Sequence, residues 1–159
     1  MSIFGAIENS ASGLTAQRLR LDIVSNNIAN INTTRNGVDS SGNYKPYRRQ
    51  IASLQPSFSR HSFTNIFNKT MEDNIGDGVQ ISAVSEDNSP LPVEYDPNSP
   101  DAAKIAEPGL PVGYVRRPNV DIVSEMVDMI SASRAYEANV TVLNASKSMA
   151  MKALEIGRG

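Results

Sequence analysis

All nine prolines of this 159-residue chain fall between Pro46 and Pro118. Proline removes a backbone donor, and its ring collides with the preceding helical turn, so a stretch rich in it cannot hold a long helix. Only the two ends are free to do so. The expected fold is therefore α+β. Terminal helices over 1–32 and 119–159 form one discontinuous, coiled-coil-like helical domain, and 33–118 is a proline-rich strand-and-loop middle segment. The length suits one ordinary domain.

The first end carries a heptad. Ile7, Leu14, Leu21 and Ile28 recur every seven residues, with Ser10, Gln17, Val24 and Ile31 three further on. That spacing lines a seam along one helix face. Asn26, Asn27, Asn30 and Asn32 crowd its far end. Their side chains compete for backbone hydrogen bonds and should end the helix near Ile31.

The last helix should start after Pro118, capped by Asn119 or Asp121, and close at Gly157. Asp121, Glu125 and Asp128 at its start, with Lys147, Lys152 and Arg158 near its end, suit the helix dipole. One stripe runs Ile122, Met126, Met129, Ser133, Tyr136, Val140, Leu143, Lys147, Ala150 and Leu154, and a displaced one adds Val123, Val127, Ile130, Val142, Met149 and Ile156. So broad an apolar face needs several neighbouring helices. The expected assembly seam is Ile7, Leu14, Leu21, Val24 and Ile28 on the first helix with the Ile122-to-Leu154 stripe on the last. Between the helices, Tyr47 to Leu54 and Val79 to Val84 read as strands, and 85–113 as an extended proline-rich loop.

The parts of an enzyme are missing. The absence of cysteine excludes disulfides, thiolate nucleophiles and cysteine-held zinc. A net charge of −2, with no basic run longer than Arg48-Arg49 or Arg116-Arg117, argues against nucleic acid; those pairs read as solvated or partner-facing. The one histidine, His61, reads as a surface side chain. Gly76-Asp77-Gly78 lacks the third glycine and the lysine of a phosphate loop. Glu94, Asp96 and Asp101 lack EF-hand spacing and read as turn formers beside Pro97 and Pro100. No apolar run approaches the roughly 20 residues of a membrane span, and the first residues lack the pattern of a cleavable signal. The expectation is a structural subunit with no catalytic residues, cofactor, metal, small-molecule substrate or membrane insertion.

Two segments carry a specific resemblance. Ala16 to Thr33, centred on Ser25-Asn26-Asn27-Ile28-Ala29-Asn30, closely resembles the N-terminal signature of bacterial flagellar rod and hook proteins. Tyr95-Asp96-Pro97, Pro100-Asp101-Ala102, Gly113-Tyr114-Val115 and Pro118-Asn119-Val120-Asp121 then occur in order, followed by Glu125-Met126 and Arg134-Ala135-Tyr136. That series is similar to the proximal-rod branch of the flagellar basal-body rod family. Tyr47-Arg48-Arg49 and Gly78-Val79 fit it too, so the resemblance covers essentially the whole chain. Asn98-Ser99 and an extra stretch at 104–112 depart from the pattern, both in loops.

The resemblance implies export through the flagellar type III apparatus with the N-terminus uncleaved. It further implies polymerisation with copies of itself and other flagellar rod proteins, on the inner-membrane ring and its adaptor proteins. The product would be a drive shaft for motility, the basal-body rod spanning the periplasm. Two other readings remain open from the residues: another rod or hook subunit of the same system, and a cytosolic helical adaptor or chaperone that dimerises through its coiled coil.

Overall fold

The computed structural model describes residues 3–38, 42, 44–57, 78–103, 106 and 109–157. His61, Gly76-Asp77 and Arg158 lie outside the described residues. The order of elements is helix, six strands, helix: α1 (Ile3–Ala29), β1 (Gly37–Val38), β2 (Tyr44–Lys45), β3 (Gln50–Pro56), β4 (Val79–Glu86), β5 (Val93–Tyr95), β6 (Tyr114–Arg116) and α2 (Ile122–Ile156). The α+β expectation holds, with helices at both ends and small strands between them.

The asparagines stop α1 as anticipated. Asn30 N–H is shared between the carbonyls of Asn26 and Asn27 at 3.1 and 3.2 Å, and Ile31 and Thr33 continue in tight turns onto Ile28 and Asn30. Asn30 Nδ2 donates to both the carbonyl and the side-chain oxygen of Asn26, each at 2.9 Å. At the other end Asp121 is the cap. Its carboxylate accepts from Val123 N–H at 3.3 Å and from Ser124 N–H at 3.2 Å, which satisfies donors that α2 leaves unpaired. Asn119 instead ties the approach to β3, where its side-chain oxygen accepts from the backbone N–H of Arg49. The last turn of α2 holds no basic residue; Lys152 sits earlier and pairs with Glu155 at 2.7 Å.

The strands pair two by two. β1 and β2 form an antiparallel hairpin, Gly37 opposite Lys45. β3 and β4 pair as a ribbon. Ser57 N–H reaches Gly78 O at one end and Asp87 N–H reaches Arg49 O at the other, an antiparallel arrangement. β5 and β6 are antiparallel, with Tyr95 opposite Tyr114. This corrects the reading of 85–113 as loop only. Pro90 and Pro92 precede β5 and Pro97 follows it, so the three paired residues keep their donors. Gly113, at φ +86°, makes the entry into β6.

Contacts group the chain into two compact units. The first is Met1–Leu21, Ala52–Ala83 and Ile130–Gly159; the second is Asp22–Ile51 and Val84–Met129. Each takes a piece of both helices and of the β3–β4 ribbon. In the first unit, Gly13 of α1 lies so close to α2 that a Cβ there would stand 3.0 Å from Asn139 Nδ2. Ser10, Ala16, Ala132 and Ser146 are buried in this unit. The second unit buries Ile23, Val24, Asn27, Tyr47, Ala103, Leu110, Val115 and Glu125. Small and polar residues thus dominate the buried positions of both helices.

Candidate functional site

Glu125 of α2 is 0% exposed and Asn27 of α1 is 1% exposed, and both belong to the second unit. An unpaired buried carboxylate is costly, so its partners matter. Asn27 Nδ2 donates to Glu125 Oε2 at 3.0 Å, joining residues 98 apart in sequence. Arg49, one residue before β3, donates from Nε to Glu125 Oε1 at 2.5 Å and from a terminal nitrogen to Asp128 at 3.3 Å. Tyr47 Oη donates to Asn27 Oδ1 at 2.8 Å, and Gln50 N–H donates to the same oxygen at 2.9 Å. Asn27 Nδ2 also reaches Gln50 O at 2.9 Å. Asn119 Oδ1 accepts from Arg49 N–H at 2.9 Å, while its amide nitrogen reaches Asp87 O at 3.2 Å.

The asparagine amide uses both ends and the carboxylate uses both oxygens, and most of the bonds come from the short segment Tyr47 to Gln50. The node clips α1, the approach to β3 and the start of α2 together. Burial followed by the Glu125 charge pushes the Tyr47 hydroxyl above its ordinary range. Burial alone would pull the Arg49 guanidinium down, but its bond to Glu125 and the charges of Glu125, Asp128 and Asp87 outweigh that and lift it further.

This corrects one reading. Arg49 is held inside the chain, not solvated or partner-facing, and Arg48 donates to Asp87 O at 3.0 Å. Glu125 is a buried partner of that arginine as well as an acid in the first turn of α2. The remaining acids behave as ordinary supports. Asp101 accepts from Thr34 Oγ1 at 2.6 Å and pairs with Arg35. Glu94 pairs with Arg117 at 2.8 Å, and Asp96 closes a turn onto Asn98 N–H at 3.2 Å.

The anticipated seam residues differ in exposure within the single subunit. On α1, Val24 is buried, while Ile7, Leu14, Leu21 and Ile28 are half-buried. On α2, Met129, Val140 and Leu143 are half-buried, and Ile122, Met126, Tyr136 and Leu154 are exposed, Leu154 at 75%. Of the signature residues, Asn27, Glu125 and Asn119 meet at the node, with Asn26 at its edge 3.3 Å from Tyr47 Oη. Gly113 and Pro118 are buried; Tyr114 and Val120 are half-buried; Ser25, Ala29, Tyr95, Pro97 and Arg134 are exposed. Sequence reasoning missed the meeting itself. The available signal was Glu125 lying one turn from both Ile122 and Met129, a charge beside the apolar start of the stripe.

Two family models match the chain: one described as "Flagella basal body rod protein" over residues 7–35, the other as "Flagellar basal body rod FlgEFG protein C-terminal" over 112–156. Asn27 lies in the first stretch and Glu125 in the second. The flagellar basal-body rod protein FlgC of Bacillus subtilis (strain 168) is 49% identical over 160 residues, covering 99% of this chain and 100% of the relative. The chain belongs to the FlgC family of flagellar basal-body rod proteins. The FlgC of Borreliella burgdorferi is 48% identical over 160 residues and the full length of both chains. That of Escherichia coli O157:H7 is 36% identical over 159 residues, 99% of this chain and 100% of its own. As a member of the FlgC family, the chain is a structural subunit of the flagellar basal-body rod.

Proposed function

We propose that this subunit polymerises through its terminal helices, 1–32 with 119–159, into the proximal rod, the drive shaft that carries torque across the periplasm. The observation that carries this reading is the apolar surface that α2 leaves uncovered. Val123, Val127, Ile130, Met149, Leu154 and Ile156 are all more than half exposed, Ile156 at 83%. A chain that closes its own helices with Ser10, Gly13, Ala132, Asn139 and Ser146 reserves its large apolar side chains for neighbours. Burying one such side chain contributes roughly 1.5–3 kcal/mol, so a few contacts per subunit suffice for cooperative growth. The partners are copies of itself, other rod proteins and the basal-body ring and adaptor proteins beneath them, and the subunit acts without catalysis or cofactor. It reaches the rod through the flagellar export apparatus with its N-terminus intact.

Seam substitutions test assembly separately from export. Leu21→Asp or Met129→Asp should abolish swimming while the subunit still appears in the exported fraction, because an aspartate buried at a helix contact has no partner there. Glu137→Gln, at an exposed position, should be milder. Normal swimming by Leu21→Asp would remove the seam. Export has its own test: removing the first several residues should leave the subunit in the cytoplasm, and export of the shortened chain would show that the machine reads another segment.

A further inference from the structure

The β1–β2 and β5–β6 hairpins, both in the second unit, frame a cavity of about 620 Å³. Lys45 of β2, Arg48 just before β3 and Arg116 of β6 line it, and Glu86 at the end of β4 is the one acid among its described walls. Three cations against one acid leave an excess of two positive charges, on a chain whose net charge is −2. The neighbouring described acids are used elsewhere. Asp87 turns its carboxylate to Ser89, accepting from the N–H at 2.8 Å and the hydroxyl at 2.5 Å, and Glu94 pairs with Arg117. Arg48 spends one donor on Asp87 O, and a guanidinium has five. Lys45 and Arg116 hold contacts of their own in the free chain, so an anion joins groups already engaged or exchanges for their partners. Leu91 and Val93 add an apolar wall, and a Cβ at Gly37 or Gly109 would meet nothing within 4 Å, so those sides are open.

We propose that this cavity binds an acidic peptide segment of a partner protein, two neighbouring carboxylates meeting Lys45, Arg48 and Arg116 while their aliphatic stems lie on Leu91 and Val93. Charge and shape together give the class of ligand. A cleft lined by one sign of charge focuses its field and draws in the opposite sign. Two carboxylates offset the excess, and arginine presents the planar fork that a carboxylate fits. A small inorganic anion would leave the apolar wall wet and most of the volume unfilled. The partner is a different chain from this one. Among the described residues the only adjacent acids are Glu86 and Asp87, which already belong to the cavity wall and the Ser89 turn. Leu21→Asp and Met129→Asp leave every wall of the cavity in place, so the site stands or falls apart from the helix seams.

The full-length protein is titrated with acetyl-Ala-Glu-Glu-Ala-amide and with its Gln-Gln analogue, and the amide resonances are followed by NMR. The acidic peptide should shift Gly37, Lys45, Val93 and Arg116, bind about tenfold more tightly than the neutral one, and weaken as sodium chloride rises. The Lys45 side chain is exposed, so Lys45→Gln should spare the hairpin and weaken binding about threefold, and Lys45→Arg should restore it. Equal binding of the two peptides overturns the site, as does a Lys45→Gln affinity equal to the parent's. Should Lys45→Gln lose the hairpin resonances, the salt titration of the parent decides, and an affinity independent of salt overturns the site. Sedimentation of the parent and Lys45→Glu separates the sources of the segment. The same association state in both is expected. Self-association that Lys45→Glu abolishes would make the occupant a second copy, through Glu72-Asp73 or another acid, and overturn the assignment to a different chain.

Discussion

The same two helices close in two different ways. In the second unit, α1 and α2 are joined by a dense polar node, in which Asn27, Tyr47, Arg49, Asn119 and Glu125 satisfy one another across three segments of chain. In the first unit they meet at Gly13 against Asn139, and α1 holds the ribbon through one hydroxyl: Ser12 Oγ accepts from Val79 N–H at 3.1 Å and donates to Asn9 O at 2.7 Å. The large side chains of α2 in this unit, Ile130, Val142, Met149 and Leu154, remain exposed. Polar closure is specific because each group demands one partner; close approach through glycine is permissive because it demands only space. A subunit that must adopt one shape and still bind several neighbours uses the first for itself and leaves apolar surface to the others.

The largest expected effect comes from breaking the polar closure. Glu125→Ala removes the buried carboxylate that Arg49 and Asn27 both hold, and removing one member of a buried pair costs about 3–5 kcal/mol. The free chain should then lose amide-exchange protection at 22–29 and 122–128, and the cell should lose swimming. Retention of both would mean that the node is incidental. The comparison also predicts unequal order in the free wild-type chain. Isolated helices hold little structure without packed neighbours, so protection should be weakest over 140–156 and total helix below that of a fully folded pair. Full helicity at micromolar concentration would favour the self-contained adaptor reading instead.

Much of this fold was legible because it is local. Proline placement marked both helices, the asparagine run marked the end of α1, and Asp121 was one of two caps named for α2. The strand pattern at Val79 to Val84 matched the core of β4. What stayed hidden is non-local. Arg48-Arg49 looks like any solvated basic pair, and nothing near it in sequence announces that Glu125, 76 residues away, takes its guanidinium. The signature residues could be recognised, but recognition does not say that Asn27, Asn119 and Glu125 meet. β5 was missed because prolines on both sides masked three residues whose strand character depends on Tyr114 to Arg116.

A middle-sized effect is expected where the ribbon joins α1. Gly78 has φ +90°, and a Cβ there would fall 2.3 Å from Ser12 Oγ. Gly78→Ala therefore combines backbone strain of about 1–2 kcal/mol with loss of the Ser12–Val79 link. Protection at Val79 and Ile81 should fall while that at Gln50 and Ile51, in the second unit, is kept. Equal loss in both places would show that the two closures are not independent.

Acid should act on the polar unit by a smaller amount. The carboxyl groups of Asp87, Asp101 and Asp121 are held below the usual range, chiefly by hydrogen bonds from Ser89, Thr34 and Ser124 respectively. A carboxyl group depressed on folding contributes stability that is complete above its unfolded value of about 3.9 and is lost as pH falls through the lower folded value. Stability set by these three groups should be flat above about pH 5 and decline below about pH 4. Since all three are in the second unit, the turn at Ser89, the Thr34–Asp101 contact and the first turn of α2 should loosen together. A decline that began near neutral pH would point to other groups.

The smallest effect, and the one whose sign is most informative, is at Gly13. Within a helix, alanine is favoured over glycine by about 1 kcal/mol through backbone entropy. Here the added methyl would stand 3.0–3.3 Å from three atoms of the Asn139 side chain, so Asn139 must move. Asn139 Nδ2 also donates to Ala135 O at 3.0 Å within its own helix, which resists that movement. Gly13→Ala alone should therefore be close to neutral, its propensity gain offset by the crowding. Gly13→Ala with Asn139→Ala should recover much of the gain and exceed the sum of the two single changes, since the crowding exists only when both side chains are present. A double-variant cycle by thermal melting of assembled rods reads this coupling directly. Additive single effects would mean that the two helices do not touch at Gly13 in the rod, and that the permissive closure belongs to the isolated subunit alone.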